Sequence, residues 1–216
     1  MSGILSPALE DYLLAHSAPT DPLLVELAAE TRERFAGQAG MQISADEGAL
    51  LTMLARLTGA RSAVEVGTFT GFSAICIARG LAPGGRLLCC DVSETFTAVA
   101  RDYWAKAGLE DRIELHLAPA IETLRALPAD PVIDFAFIDA DKGGYPDYYA
   151  ELVPRLRPGG LLVIDNVLRG GEVVVPHPTS ASTAVMQRFN DDVAADPRVT
   201  AVMLAVRDGV TLVQKT

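Results

Sequence analysis

The sequence predicts an α/β fold: a mostly parallel seven-stranded sheet with helices on both faces and an antiparallel hairpin at its carboxyl end. Three observations predict it. Between Ser62 and Asp165 short apolar runs alternate with helical patterns, and such alternation winds a parallel sheet by right-handed crossovers. Near the end of the chain, Asp208-Gly209 joins the apolar runs Thr200 to Val206 and Val210 to Val213, a hairpin signature. Finally, the runs Phe135 to Ile138 and Leu161 to Ile164 end in Asp139-Ala140-Asp141-Lys142 and Asp165-Asn166. They read as buried strands that deliver polar groups at their carboxyl ends, the edge where open parallel sheets bind ligands.

The elements follow in order. Two helical pieces, Pro7 to His16 and Pro22 to Phe35, are separated by Ser17-Ala18-Pro19-Thr20 and form a cap on the site or a dimer arm. Ser44-Ala45-Asp46-Glu47 carries a capping-box pattern, and Leu50, Leu51, Leu54 and Leu57 then recur at helical spacing up to Gly59. The alternation begins with strand Ser62 to Val66 and helix Phe72 to Arg79. Strand Arg86 to Asp91, helix Glu94 to Ala107 and strand Ile113 to Leu117 come next. A short helix from Pro119 to Leu127 precedes strand Ile133 to Asp139, helix Tyr145 to Leu156 and strand Leu161 to Asp165. A helix from Ala181 to Ala194 leads into the hairpin.

With 216 residues, half of them apolar, the chain can bury one large core, and residues 1–216 read as one domain: an arm over 1–40 and a core over 41–216. Lys and Arg number 18 against 28 Asp and Glu, and the net charge of −10 disfavours a broad nucleic-acid or anionic-membrane surface. No uncharged run approaches the ~20 residues of a membrane span, and the expected compartment is the cytoplasm. Cys76, Cys89 and Cys90 lie in apolar stretches and read as reduced core residues, with Cys89 and Cys90 on opposite faces of one strand. His16, His116 and His177 have no ligand spacing.

Two groups of residues carry chemistry. Asp139, Asp165 and Asn166 offer the oxygens that a hard divalent cation takes, with Lys142 close by as a proton acceptor. Lysine is scarce here, at three residues against 15 arginines, and arginine stays protonated, so a lysine at this point is suggestive. The second group is the turn Glu65-Val66-Gly67-Thr68-Phe69-Thr70-Gly71-Phe72-Ser73, which is neither G-x-G-x-x-G nor a P-loop. Its glycines let the backbone approach a ligand, and Asp91 ends the next strand where a carboxylate can take two ribose hydroxyls. That combination suits an adenosine without a pyrophosphate; the bland reading is a plain turn, with Asp91 capping the next helix.

The turn from Glu65 to Ser73, Phe135 to Lys142, Pro158-Gly159-Gly160 and Ile164-Asp165-Asn166-Val167-Leu168 resemble the cation-dependent O-methyltransferases. This group includes plant caffeoyl-CoA and animal catechol O-methyltransferases and small bacterial enzymes. The resemblance covers nearly all of residues 41–216 and implies a Rossmann-like S-adenosylmethionine-dependent methyltransferase fold. It also implies that Glu65, Gly67, Thr68 and Ser73 surround the methionine part of S-adenosylmethionine, with Asp141 near its amino end. Asp91 would hold the ribose, Ala120 would line the adenine side, and Met41 and Ile43 would flank the cofactor. Asp139, Asp165 and Asn166 would bind Mg2+, with Mn2+ or Ca2+ as substitutes, and Lys142 would be the base. The implied acceptor is a small vicinal diphenol, and the implied assembly a homodimer.

The chain departs from the family at Gly144, where many relatives carry Asn, and at Arg169, where many carry Trp. The animal enzymes place a tryptophan near the position of Ala39, so that aromatic gate is absent here, and the arm lacks the lysine that plant enzymes turn toward their thioester substrate. Arg169 opens a segment, 169–179, that reads as a lid, where it either meets a carboxylate or phosphate on the acceptor or stands as a solvated loop residue. Two rival functions are a methyltransferase for a hydroxylated tRNA base, which the acidic balance disfavours, and an NAD-dependent oxidoreductase, which the missing third glycine disfavours.

Overall fold

The computed structural model describes residues 5–216; residues 1–4 of the predicted arm lie outside them. The described residues form one seven-stranded sheet in the order β3-β2-β1-β4-β5-β7-β6. The strands are β1 (Ser62–Val66), β2 (Arg86–Asp91), β3 (Ile113–Leu117), β4 (Ile133–Ile138), β5 (Leu156–Asp165), β6 (Val199–Leu204) and β7 (Val210–Lys215). β1 to β5 run parallel, and β7 enters antiparallel between β5 and β6.

Side-chain alternation builds the two cores. Ala63, Cys89, Phe135, Phe137 and Val163 face helices α2 (Pro22–Arg34), α3 (Ala45–Leu57), α4 (Phe72–Gly80) and α5 (Glu94–Lys106). Val64, Val66, Cys90, Ile138 and Ile164 face α6 (Ala120–Ala126), α7 (Tyr145–Arg155) and α8 (Ala181–Ala195). Cys89 and Cys90 therefore do lie on opposite faces, and burial pushes the Cys76 and Cys90 thiols up to about 12, which leaves them unreactive near neutrality. The three histidines are exposed. Helix α1 (Pro7–Ala15) has no buried residue.

Three local expectations need correction. β5 starts at Leu156, which pairs with Ile133, and residues 157–160 then bulge before Leu161 rejoins Phe135. The bulge is held at the amino-terminal edge by Asp134, whose Oδ2 accepts from Arg61 N (2.7 Å) and Ser62 N (2.9 Å) while Oδ1 accepts from Arg157. Arg157 also donates to Thr58 O at 2.9 Å. The closing hairpin has a five-residue loop over 205–209 where a tight turn was expected. Asp208 is drawn out of the turn to accept from Gly170 N, and Gly209, at φ 84°, packs so close to Leu168 that a Cβ would lie 2.3 Å from its Cγ. Lastly, Ser44 precedes α3 but makes no side-chain cap bond, and Glu47 turns into the protein instead of back to the helix end.

Candidate active site

The carboxyl ends of β1, β2, β4 and β5 open on a cavity of about 660 Å³. It lies where the strand order reverses between β1 and β4, the switch point at which doubly wound sheets hold ligands. Met41, Ile43, Gly67, Thr68, Ser73, Asp91, Ala120, Asp139, Asp141, Lys142, Asp165, Asn166 and Arg169 all line it. Glu65, the one predicted site residue off this wall, is fully buried beneath the turn.

The turn after β1 is braced before any ligand arrives. Asp91 Oδ2 accepts from Thr68 N (2.9 Å) and Phe69 N (2.8 Å), and Oδ1 accepts from Ser93 N at 2.8 Å. Ser93 in turn caps α5. A carboxylate has about four acceptor positions, so the structural and ligand readings of Asp91 are compatible: three are used and the residue still faces the cavity. Gly67, at φ 92°, sits so tightly on β4 that an added Cβ would lie 1.9 Å from Asp139 O. Phe69 and Phe96 form an edge-on aromatic pair with centroids 4.7 Å apart along the same wall.

Glu65 lies on the α4 face, where Cys89 Sγ donates to Oε2 at 3.3 Å and Oε1 has no partner among the described residues. Burial raises its pKa to about 7, against the opposing pull of the Ser73, Cys89 and Thr68 side chains.

The acidic corner adjoins the turn and lines the same cavity. Lys142 Nζ donates to Asp139 Oδ1 at 3.1 Å and to the Tyr145 hydroxyl, with its side chain only 11% exposed. Tyr145 Oη donates to Asp165 O at 3.1 Å and so ties α7 to the end of β5. Asn166, in the left-handed region at φ 57°, donates its N–H to Asp165 Oδ1 at 2.6 Å. Asp165 Oδ2 is buried with no partner among the described residues. Burial first, and the Asp139 charge second, push the Asp165 carboxyl well above the usual carboxylate range. No three His, Cys, Asp or Glu side chains among the described residues converge as a metal-binding group. The predicted set holds only two carboxylates, with an amide as its third donor, and the orphaned Asp165 oxygen beside Asp139 and Asn166 fits a hard cation.

Asp141 is more occupied than expected: Tyr148 Oη donates to Oδ1 at 2.6 Å and Gly144 N to Oδ2 at 3.0 Å. The same Tyr148 explains Gly144, because a Cβ there would lie 2.5 Å from the Tyr148 ring. The predicted lid is a 3₁₀ segment, Arg169–Val174, fastened to α8 by Gln187 Nε2 donating to Val173 O (2.9 Å) and Val175 O (2.7 Å). Arg169 faces the cavity with a buried Nε that has no partner among the described residues.

Sequence reasoning missed Glu47 and Arg207. Glu47 is 0% exposed, and Arg207 Nη1 lies 3.6 Å from its Oε2 and donates to Gln42 O at 3.0 Å. The capping-box pattern assigned Glu47 to the helix end, and nothing in Arg207-Asp208-Gly209 marks an arginine folded over the site.

A family profile described as O-methyltransferase matches residues 14–216. "Probable caffeoyl-CoA O-methyltransferase 1" of Dictyostelium discoideum is 37% identical over 209 residues, covering 95% of this chain and 90% of that protein. An O-methyltransferase from Bacillus cereus, solved in complex with SAH, superposes with a TM-score of 0.87 at 32% identity and 97% coverage of each chain. TomG of Streptomyces achromogenes, involved in tomaymycin synthesis and solved with SAM, gives a TM-score of 0.87 at 33% identity, covering 97% of this chain and 96% of its own. The chain belongs to the O-methyltransferase family, in the branch of the caffeoyl-CoA O-methyltransferases.

Proposed function

We propose that residues 1–216 are one catalytic unit that transfers the methyl group of S-adenosylmethionine to one hydroxyl of a small vicinal diphenol with the help of a divalent cation. One observation carries the reading: the Asp91-braced turn and the Asp139, Asp165 and Lys142 cluster share one cavity wall, joined where Gly67 meets the Asp139 carbonyl. The turn from Gly67 to Ser73, with Asp91, Ala120, Met41 and Ile43, would hold the methyl donor. Asp139, Asp165 and Asn166 would hold the cation, with Mg2+ as the expected ion and Mn2+ or Ca2+ as substitutes. The charge of a cation held by these residues would make the acceptor hydroxyl more acidic.

The remaining work falls to the chain itself. Asp139 and the Tyr145 hydroxyl hold Lys142 Nζ at the cavity wall, and as the free amine Lys142 would take the hydroxyl proton. Arg169, with its free Nε, is in place to pair with a carboxylate on the acceptor. Among the described residues no helix is long and apolar enough to cross a membrane, and the three free buried cysteines suit the reducing cytoplasm.

The test is a panel of neutral and acidic catechols with S-adenosylmethionine, run with and without EDTA. Methylation should need both the vicinal hydroxyls and the cation. Activity that survives full chelation would sink the cation mechanism. In the same panel Arg169→Ala should raise KM for acidic catechols only, and an equal effect on neutral ones would remove that role.

A further inference from the structure

Glu47 has no evident reason to be where it is. It stands in the first turn of α3, yet it is 0% exposed and both carboxylate oxygens lack a hydrogen-bond donor among the described residues. Burying a carboxylate with no hydrogen-bond donor is costly, so a plain packing role would be better served by an uncharged residue. Its nearest cation, Arg207, stands off at 3.6 Å and gives its hydrogen bond to Gln42 O. Its other charged neighbours are Asp165 and Asp139. Three carboxylates therefore crowd one corner against two cations, Lys142 on Asp139 and Arg207 on Glu47, and Asp165 Oδ2 is left without a partner.

We infer that Glu47 is a positioning residue of the cation site. Its carboxyl group lies beside the Asp165 side chain at the start of α3, and it supplies negative charge behind Asp139, Asp165 and Asn166 when a divalent ion is there to offset it. It acts from behind the ligand set and not as a member of it. Outer carboxylates of this kind commonly tune metal affinity. The inference rests on the cation-dependent reading proposed above, and the experiment separates the two.

Isothermal titration with Mn2+ on the full chain loaded with S-adenosylmethionine would compare the wild type with Glu47→Gln, Glu47→Asp and Asp165→Asn. Glu47→Gln should weaken Mn2+ binding roughly 10-fold or more, with cofactor affinity within about twofold and the melting temperature undiminished. Glu47→Asp, which keeps the charge on a shorter stem, should bind more tightly than Glu47→Gln even if the latter folds poorly. Mn2+ affinity unchanged in Glu47→Gln, while Asp165→Asn loses it, would overturn the role of Glu47 alone. So would parallel losses of cation affinity, cofactor affinity and melting temperature in both Glu47 variants. A wild type that does not bind Mn2+ would overturn the cation-dependent reading and this inference with it.

Discussion

Single residues set the chemistry, and two of them can be isolated. Lys142 is held by Asp139 and Tyr145, and in the proposed reading it acts on the acceptor and not on the donor. Lys142→Ala should therefore lower kcat about 10²–10⁴-fold, the usual weight of a general base, with a much smaller change in cofactor affinity by calorimetry. An unchanged kcat would strip it of that role. Glu65 governs stability instead. Its pKa rises from 4.5 to about 7 on folding because of burial, so the folded chain holds an extra proton between those values. That contribution is complete below about pH 4.5, is lost as pH rises through about 7, and is flat above; it amounts to at most about 3 kcal/mol. Melting temperature plotted against pH should fall across this window for the ligand-free wild type and fall less for Glu65→Gln. Equal slopes would mean that Glu65 is ionised in the folded chain throughout.

Elements place those residues, and here the sequence was legible wherever a local signal matched the tertiary demand. Apolar runs gave β1, β2 and β4 to within a residue, since strands buried on both faces leave no other pattern. The start of β5 was hidden because Pro158-Gly159-Gly160 reads as a stop, while in the fold those residues form a bulge anchored by a carboxylate far away in the chain. That anchor makes its own prediction. Backbone N–H groups of Ser62 and Arg61, with the Arg157 guanidinium, hold the Asp134 carboxyl below its usual range despite burial. Asp134→Ala should cost ~1–3 kcal/mol through the orphaned donors, seen as a lower melting temperature. Because Asp134 sits at the edge opposite the cavity, kcat/KM below the melting transition should not change; a kinetic defect at low temperature would refute this separation.

For the whole molecule, pairings between distant segments decide what sequence reading can reach. Asp91, Asp139, Asp165 and Asn166 could be grouped from the sequence because each stands at or just past a strand end, and parallel order brings strand ends together, whereas Met41, Ile43 and Ala120 were named only through the family resemblance. Glu47 and Arg207 stayed out of reach because 160 residues separate them and neither stands in a pattern that a distant partner would alter. The assembly belongs to the same scale. Helix α1 buries no residue of its own and exposes Leu9, Tyr12, Leu13 and Leu14, an apolar face that a second copy would cover. We expect a homodimer through this arm in light scattering, and conversion to monomer by Leu13→Glu with Tyr12→Glu. A wild type that elutes as a monomer at micromolar concentration would remove the arm from assembly.

The contact between Gly67 and the Asp139 carbonyl has a consequence for how such an enzyme can diversify. A side chain at position 67 would wedge β1 from β4 and disturb the donor loop and the acidic corner together, so no gradual path of substitution leads through it. The segment 169–179 is instead fastened to α8 through Gln187 and does not bridge two strands. The tightly constrained part of the site and its cover are thus divided between the middle of the sheet and α8.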